Sequence, residues 1–126
     1  MGRAADGVRA HSRAASPTVP SLLILWTRPA HLSAREAEAW IRDELGALIA
    51  GGTIAGAGLT RLESPSEQHP RQWDWMLELR LHADTDPAAC AVEGPCGEWL
   101  ADMRLLGMRP AVLAVGGRTV LGEDDR

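Results

Sequence analysis

Glu78, Arg80 and His82 place a carboxylate, a guanidinium and an imidazole at every second position of one segment. In an extended strand such residues share one face and are spaced about 6.5–7 Å apart. A carboxylate or imidazole in this row can act as a general acid or base, and Arg80 can clamp a carboxylate or enolate oxygen. These three residues are the predicted catalytic candidates. The alternative, which is the commoner situation, is a solvated row of charges or ordinary ion pairs at a dimer seam.

Four other residues are candidates for binding a ligand: Trp26, Arg28, Met76 and His69. Trp26 ends an apolar segment and would give a planar molecule an aromatic wall, although large aromatic side chains are most often core. Met76 belongs to the same face as the charged row. If the apolar segment that ends at Trp26 pairs in antiparallel fashion with the segment that carries the charged row, His69 comes near the end that carries Trp26 and Arg28. His31 and His69 lie in predicted loops. They lack a third ligand at a recognised spacing, so no metal is predicted.

The segment that carries the row alternates between apolar and polar residues from Trp73 to His82. This period of two predicts a strand with one face on a core. Its core face holds Trp73, Trp75, Leu77, Leu79 and Leu81.

The first strand is different, because it is apolar on both faces. Leu23 and Leu25 lie on one face, and the other holds Leu22, Ile24 and Trp26. A strand with a solvated face alternates cleanly. We therefore expect the second face of this sheet to be covered, since an exposed apolar patch on a central strand favours association.

The remaining signals predict the order strand, helix, strand, strand, helix, strand. Ser33 and Glu36 form a capping box that begins a helix, which Gly51-Gly52 ends. Asp86-Pro87 begins a second helical region, which Gly94-Pro95 interrupts. The predicted strands cover residues 21–28, 53–63, 72–82 and 110–120. This order predicts an α+β, ferredoxin-like β-α-β-β-α-β fold: an antiparallel sheet with its first and third strands central and two helices on one face.

Element order, chain length and the doubly apolar first strand resemble the dimeric α+β-barrel proteins, small ferredoxin-like chains that pair their sheets. The resemblance covers roughly residues 21–121 and includes the segment Leu105–Pro110 before the last strand. It implies a homodimer packed sheet on sheet, with a ligand cavity between the sheet and the helices or loops. In such proteins the cavity serves cofactor-independent monooxygenases of aromatic polyketides, haem-degrading or haem-binding enzymes, isomerases and small-molecule sensors.

No complete catalytic motif selects one of these activities. Two hypotheses therefore stay open. One is a homodimer with a pocket for a small, aromatic molecule, acting as a cofactor-independent monooxygenase or isomerase. The other is a non-catalytic ligand-binding or dimerisation module. No cofactor is predicted in either case.

The composition limits the partners and the compartment. The chain of 126 residues has a net charge of −4, which disfavours a nucleic-acid partner. Its longest apolar run, Leu22–Trp26, is far shorter than the roughly 18 residues of a membrane span. Cys90 and Cys96 have neither zinc spacing nor the density of a disulfide scaffold, so they indicate reduced thiols and a cytoplasmic protein.

The chain is predicted to hold one folded domain. Residues 1–20 are rich in Arg, Ala and Ser and show no periodicity, so they are predicted to be disordered. Residues 21–122 form the α+β domain, and residues 123–126 form a charged tail.

Overall fold

The computed structural model describes residues 19–116, 119 and 121–122. Nearly all of the segment predicted to be disordered, residues 1–18, lies outside the described residues. The charged tail of residues 123–126 also lies outside them. Both assignments stay predictions.

Four strands and three helices follow one another in the described part of the chain. They are β1 (Ser21–Trp26), α1 (Ala34–Ala50), β2 (Gly56–Arg61), β3 (Trp75–Arg80), α2 (Pro87–Val92), α3 (Gly94–Leu106) and β4 (Ala111–Val115). The strands form one antiparallel sheet in the order β2-β3-β1-β4. The first and third strands are therefore central, and the predicted α+β, ferredoxin-like fold is confirmed. Strands β1, β2 and β3 are shorter than predicted, and residues 117, 118 and 120 of the predicted last strand lie outside the described residues.

Helix α1 begins where the capping box predicts. The Ser33 hydroxyl accepts a hydrogen bond from the Glu36 N–H at 3.0 Å, and the Glu36 carboxylate accepts one from the Ser33 N–H at 2.8 Å. These bonds lower the pKa of Glu36, because they favour its charged form. The helix ends at Gly51-Gly52, where Gly52 has a φ of +79°, which favours glycine.

The core lies between the sheet and the helices. On this side, Leu22 lies opposite Leu79 and Ile24 lies opposite Leu77. All four are at most 1 % exposed. The same cluster takes in buried residues of the helices: Ala37, Ile41, Leu45 and Leu48 of α1, and Cys96, Trp99, Leu100 and Met103 of α3. One face of the sheet is thus closed by helices.

The two cysteines lie on consecutive helices, Cys90 on α2 and Cys96 on α3, and both are free thiols. Cys90 is half-buried, whereas Cys96 is 1 % exposed. Burial, with a smaller contribution from Cys90, raises the pKa of the Cys96 thiol to about 12.

None of the helices that the structure describes combines the length and apolar character that a bilayer crossing needs.

Candidate functional site

The side of the sheet opposite the helices, which we call the uncovered face, carries most of the predicted row. Strand register divides it into two halves. The aliphatic half lies on β1 and β4 and holds Leu23, Leu25, Ala111, Leu113 and Val115, with Ser21 at its end. The polar half lies on β2 and β3 and consists of Gly56, Gly58, Thr60, Met76, Glu78 and Arg80.

The aliphatic half is a continuous patch. Leu23 lies directly opposite Leu113, and Leu25 lies opposite Ala111. Leu23 and Leu25 are only half-buried, although β1 is a central strand, and Leu113 is 52 % exposed. The second apolar face of the first strand therefore has no cover from the described residues of its own chain.

The polar half is built around two glycines. Gly56 lies opposite Arg80, and a methyl group added at Gly56 would come within 2.5 Å of Arg80 Nη2, so the guanidinium lies over this glycine. Gly58 lies opposite Glu78, and a methyl group there would meet no atom within 4 Å. The missing side chain at Gly58 therefore leaves open space beside Glu78, which is half-buried.

The structure does not bring His82 into the row with Glu78 and Arg80. Strand β3 ends at Arg80, and the N–H of Leu81 bonds to the carbonyl of Pro20 at 2.9 Å. The His82 ring then lies at the loop between α1 and β2, where its Nε2 donates to the Gly52 carbonyl at 2.9 Å. The alternation from Trp73 to His82 predicted a strand that continues to His82, and this prediction placed the end of the strand too late.

Trp26 lies in the helix-side core and is fully buried. Its ring stacks on Trp75 with centroids 4.4 Å apart and planes inclined by 11°. Its Nε1, like that of Trp99, has no hydrogen-bond partner among the described residues. Met76, by contrast, lies on the uncovered face opposite Leu25, so these two candidates occupy opposite sides of the sheet.

Arg28 and His69 each bond to their own surroundings. The Arg28 guanidinium donates to the Leu32 carbonyl at 2.6 Å, and its backbone N–H donates to Asp74 Oδ2 at 2.7 Å. His69 lies in the β2–β3 loop with its Nδ1 2.9 Å from the Ser66 hydroxyl. The four ligand-binding candidates therefore do not form one cluster.

The structure shows a second charged group, at Glu38, that sequence reasoning missed. Glu38 Oε2 accepts hydrogen bonds from Trp75 Nε1 at 2.8 Å and from Arg61 Nη2 at 3.1 Å. Arg42 Nη2 lies 3.8 Å from Glu38 Oε1. Hydrogen bonds from Arg61 and Trp75 lower the pKa of Glu38, and the charges of Arg61 and Arg42 lower it further. A groove of about 410 Å³ opens at this group, lined by Ala34, Arg35, Glu38, Ala39, Arg42 and Arg61.

One signal in the sequence could have indicated part of this group. Glu38 and Arg42 are four residues apart on α1, which allows a helical ion pair. Arg61 and Trp75 lie directly opposite one another in the β2–β3 pair, so they share the helix side of the sheet. The packing of α1 over Arg61 and Trp75 cannot be predicted from these local patterns.

Another groove, of about 420 Å³, has the opposite charge. It lies between α1 and α3, where Glu44, Glu98 and Asp102 surround an apolar floor that includes Leu48 and Trp99. Across residues 19–116, 119 and 121–122, no three His, Cys, Asp or Glu side chains come together as a metal site would require.

Comparisons with known proteins support the fold alone. No family model matches the chain, and no curated protein matches its sequence. A crystal structure described as an "ethyl tert-butyl ether d (ethd) family protein" of Bacillus halodurans is similar, with a TM-score of 0.56 and 13 % identity. The match covers 80 % of this chain and 100 % of that one.

The Arabidopsis thaliana protein At3g17210 is similar at a TM-score of 0.58 and 13 % identity, with 82 % of this chain and 98 % of that chain covered. Both structures span nearly the whole described domain. The fold is thus of the type found in dimeric α+β barrels, as the sequence predicted.

Proposed function

We propose that this chain is a homodimer joined through the uncovered faces of two sheets, with a small-molecule site at the polar half of each. The observation that carries the proposal is the uncovered face itself, where a patch of aliphatic side chains adjoins Glu78 and Arg80 on one surface.

The aliphatic half supports the dimer. Each large aliphatic side chain that is removed from water contributes about 1.5–3 kcal/mol, and Leu23, Leu25 and Leu113 occur once in each copy. Because a twofold contact uses the same patch on both chains, every leucine contributes twice. Packing two such sheets face to face would bury both patches.

The polar half supports a ligand. The open space at Gly58 would give a molecule access to the Glu78 carboxylate, and Arg80, two residues further along the same strand, would hold an anionic oxygen. Met76 offers an apolar contact that suits an aromatic ring. We propose an aromatic compound that carries an acidic proton as the ligand class.

Glu78 would then be the proton acceptor and Arg80 the group that holds the resulting enolate or phenolate oxygen. Such a proton abstraction is the first step of both an isomerisation and a cofactor-independent oxygenation. His82 has no part in this proposal, because its ring is bonded to Gly52. We also propose a cytoplasmic location, which the two reduced cysteines favour.

The dimer is tested by sedimentation of the wild-type protein and two leucine variants. Leu113→Arg places a charge in the aliphatic half, whereas Leu105→Arg makes the same change at an 85 % exposed leucine of α3. We expect the wild-type protein and Leu105→Arg to be dimers at micromolar concentration and Leu113→Arg to be a folded monomer by circular dichroism. A monomeric wild-type protein would overturn the dimer.

The site is tested by native mass spectrometry of the purified protein, followed by turnover assays of any retained molecule. Glu78→Gln should abolish turnover and keep binding, whereas Arg80→Gln should weaken binding. The aliphatic half alone would suffice for a second role, a non-catalytic binding or dimerisation module. That role predicts a dimer that binds without turnover, so that Glu78→Gln and Arg80→Gln change only affinity or assembly.

A further inference from the structure

The groove at Glu38 lies on the helix side of the sheet, away from the uncovered face. Arg35, Glu38 and Arg42 come from α1, and Arg61 comes from the end of β2. The side chains of Ala34 and Ala39 are small, which leaves room between the charged groups.

This groove is locally positive in a negative protein. Three arginines face one glutamate, so its charged lining sums to +2, whereas the whole chain carries −4. The lining also includes Ala34 and Arg35 in the first turn of α1, where the Glu36 carboxylate offsets the partial positive charge of the helix dipole. The arginines are therefore the groups that attract anions.

Two of the three arginines contact Glu38, yet they keep donors for a ligand. Arg61 uses one guanidinium nitrogen on Glu38, and its side chain is 67 % exposed. Arg42 approaches the same carboxylate and is 74 % exposed. Since a guanidinium has five N–H donors, most remain available to an oxyanion.

The anchor of the cluster belongs to the core. Glu38 accepts its shortest hydrogen bond from Trp75, which is 4 % exposed and stacks on the fully buried Trp26. The carboxylate that orients Arg61 and Arg42 is therefore fixed by the folded interior. A site arranged before its ligand arrives loses less entropy on binding.

We propose that this groove binds a phosphate group, either as free phosphate or as the phosphoryl end of a small metabolite. Several guanidiniums converging on one space match the several oxygens and double charge of a phosphate better than they match a single carboxylate. This site does not depend on the proposed dimer or its ligand.

The test is a titration of ¹⁵N-labelled full-length protein with inorganic phosphate, with chloride adjusted to hold ionic strength constant. The Trp75 Nε1–H signal reports on the cluster, because that group donates to Glu38. We expect a saturable shift of this signal and of the Arg61 Nε–H signal. Titration with pyrophosphate and with a phosphate monoester distinguishes free phosphate from a phosphoryl end, since the preferred source should bind more tightly.

Three variants decide the outcome. Arg35→Gln and Arg61→Gln should each weaken phosphate binding by about fivefold, the effect of losing one exposed ion pair of about 1 kcal/mol. Glu38→Gln should strengthen it, because an acceptor for Trp75 remains while a negative charge is removed. The matched control is Arg104→Gln, which removes an exposed arginine from the last turn of α3 and should change nothing. An unsaturable shift, or an equal loss in Arg104→Gln, would overturn the site.

Discussion

The two faces of the sheet are made by the same strands, but their surroundings differ. On the helix side, Leu22 of β1 is 1 % exposed and packs among helix residues. On the uncovered face the next residue, Leu23, is only half-buried, and it lies opposite Leu113, which is 52 % exposed.

This difference shows how the domain divides its apolar residues. The helix side holds the connected core, which supplies the stability of the single chain. Apolar residues on the uncovered face add little to that stability, since they stay in contact with water. In the proposed dimer, the second copy would bury them.

The largest expected effect comes from the adjacent pair Leu22 and Leu23. Leu22→Ala should lower the free energy of unfolding by about 2–5 kcal/mol, because it opens a cavity in a packed core. Leu23→Ala should cost far less in the monomer and should instead weaken the dimer. Urea denaturation and sedimentation equilibrium on the same samples measure the two effects. Equal losses of stability in the monomeric state would refute the proposed division between the faces.

A smaller effect is expected at the helix that covers the sheet. Ser33→Ala removes the side-chain acceptor of the Glu36 N–H and should lower the free energy of unfolding by about 1 kcal/mol. Ser33→Asp keeps an acceptor and serves as the control. Thermal unfolding of both variants checks the result, and an unchanged melting temperature in Ser33→Ala would count against the cap.

A pH effect should arise from the helix side of the comparison. The pKa of Glu38 is lower in the folded chain than its ordinary value of 4.5. Its contribution to stability is therefore present above pH 4.5 and is lost as the pH falls through the folded value. Glu38→Gln should reduce the loss of stability on acidification. Denaturation midpoints at neutral pH and well below pH 4.5 measure it, and an identical acid loss in both proteins would contradict the assignment.

The smallest effects are expected at the two glycines of the polar half. Gly58→Ala should raise the stability of the monomer by about 0.5 kcal/mol, since alanine suits a strand better and meets nothing there. Gly56→Ala displaces the Arg80 guanidinium and should gain less. Denaturation of these glycine variants in the monomeric Leu113→Arg background measures the change in monomer stability without a contribution from dimer dissociation. If a ligand occupies the open space at Gly58, Gly58→Ala should also weaken its binding.

The sequence predicted the fold well because the decisive signals were local. Alternation in β3, the capping box at Ser33 and the break at Gly94-Pro95 each depend on residues close together in the chain. The doubly apolar β1 predicted that the second face of the sheet is covered, and this stays a prediction, because the described residues of the chain do not cover that face.

The candidate sites were harder to predict because they depend on where strands end and how helices pack. His82 continued the alternating pattern in sequence, but the chain leaves the strand after Arg80. Trp26 was expected at a cavity, and its stacking partner Trp75 places it inside the core. Glu38 meets Arg61 and Trp75 only through tertiary packing, since they lie 23 and 37 positions further along the chain.

The buried thiol of Cys96 can report on how often the folded chain opens. With its pKa raised to about 12 and 1 % of its surface exposed, this sulfur carries almost no thiolate at neutral pH and is shielded from reagents. In a Cys90→Ser background, alkylation of Cys96 would have to wait for α3 to lift from the sheet. The labelling rate would then measure how often the chain opens around Cys96, by local or by global unfolding.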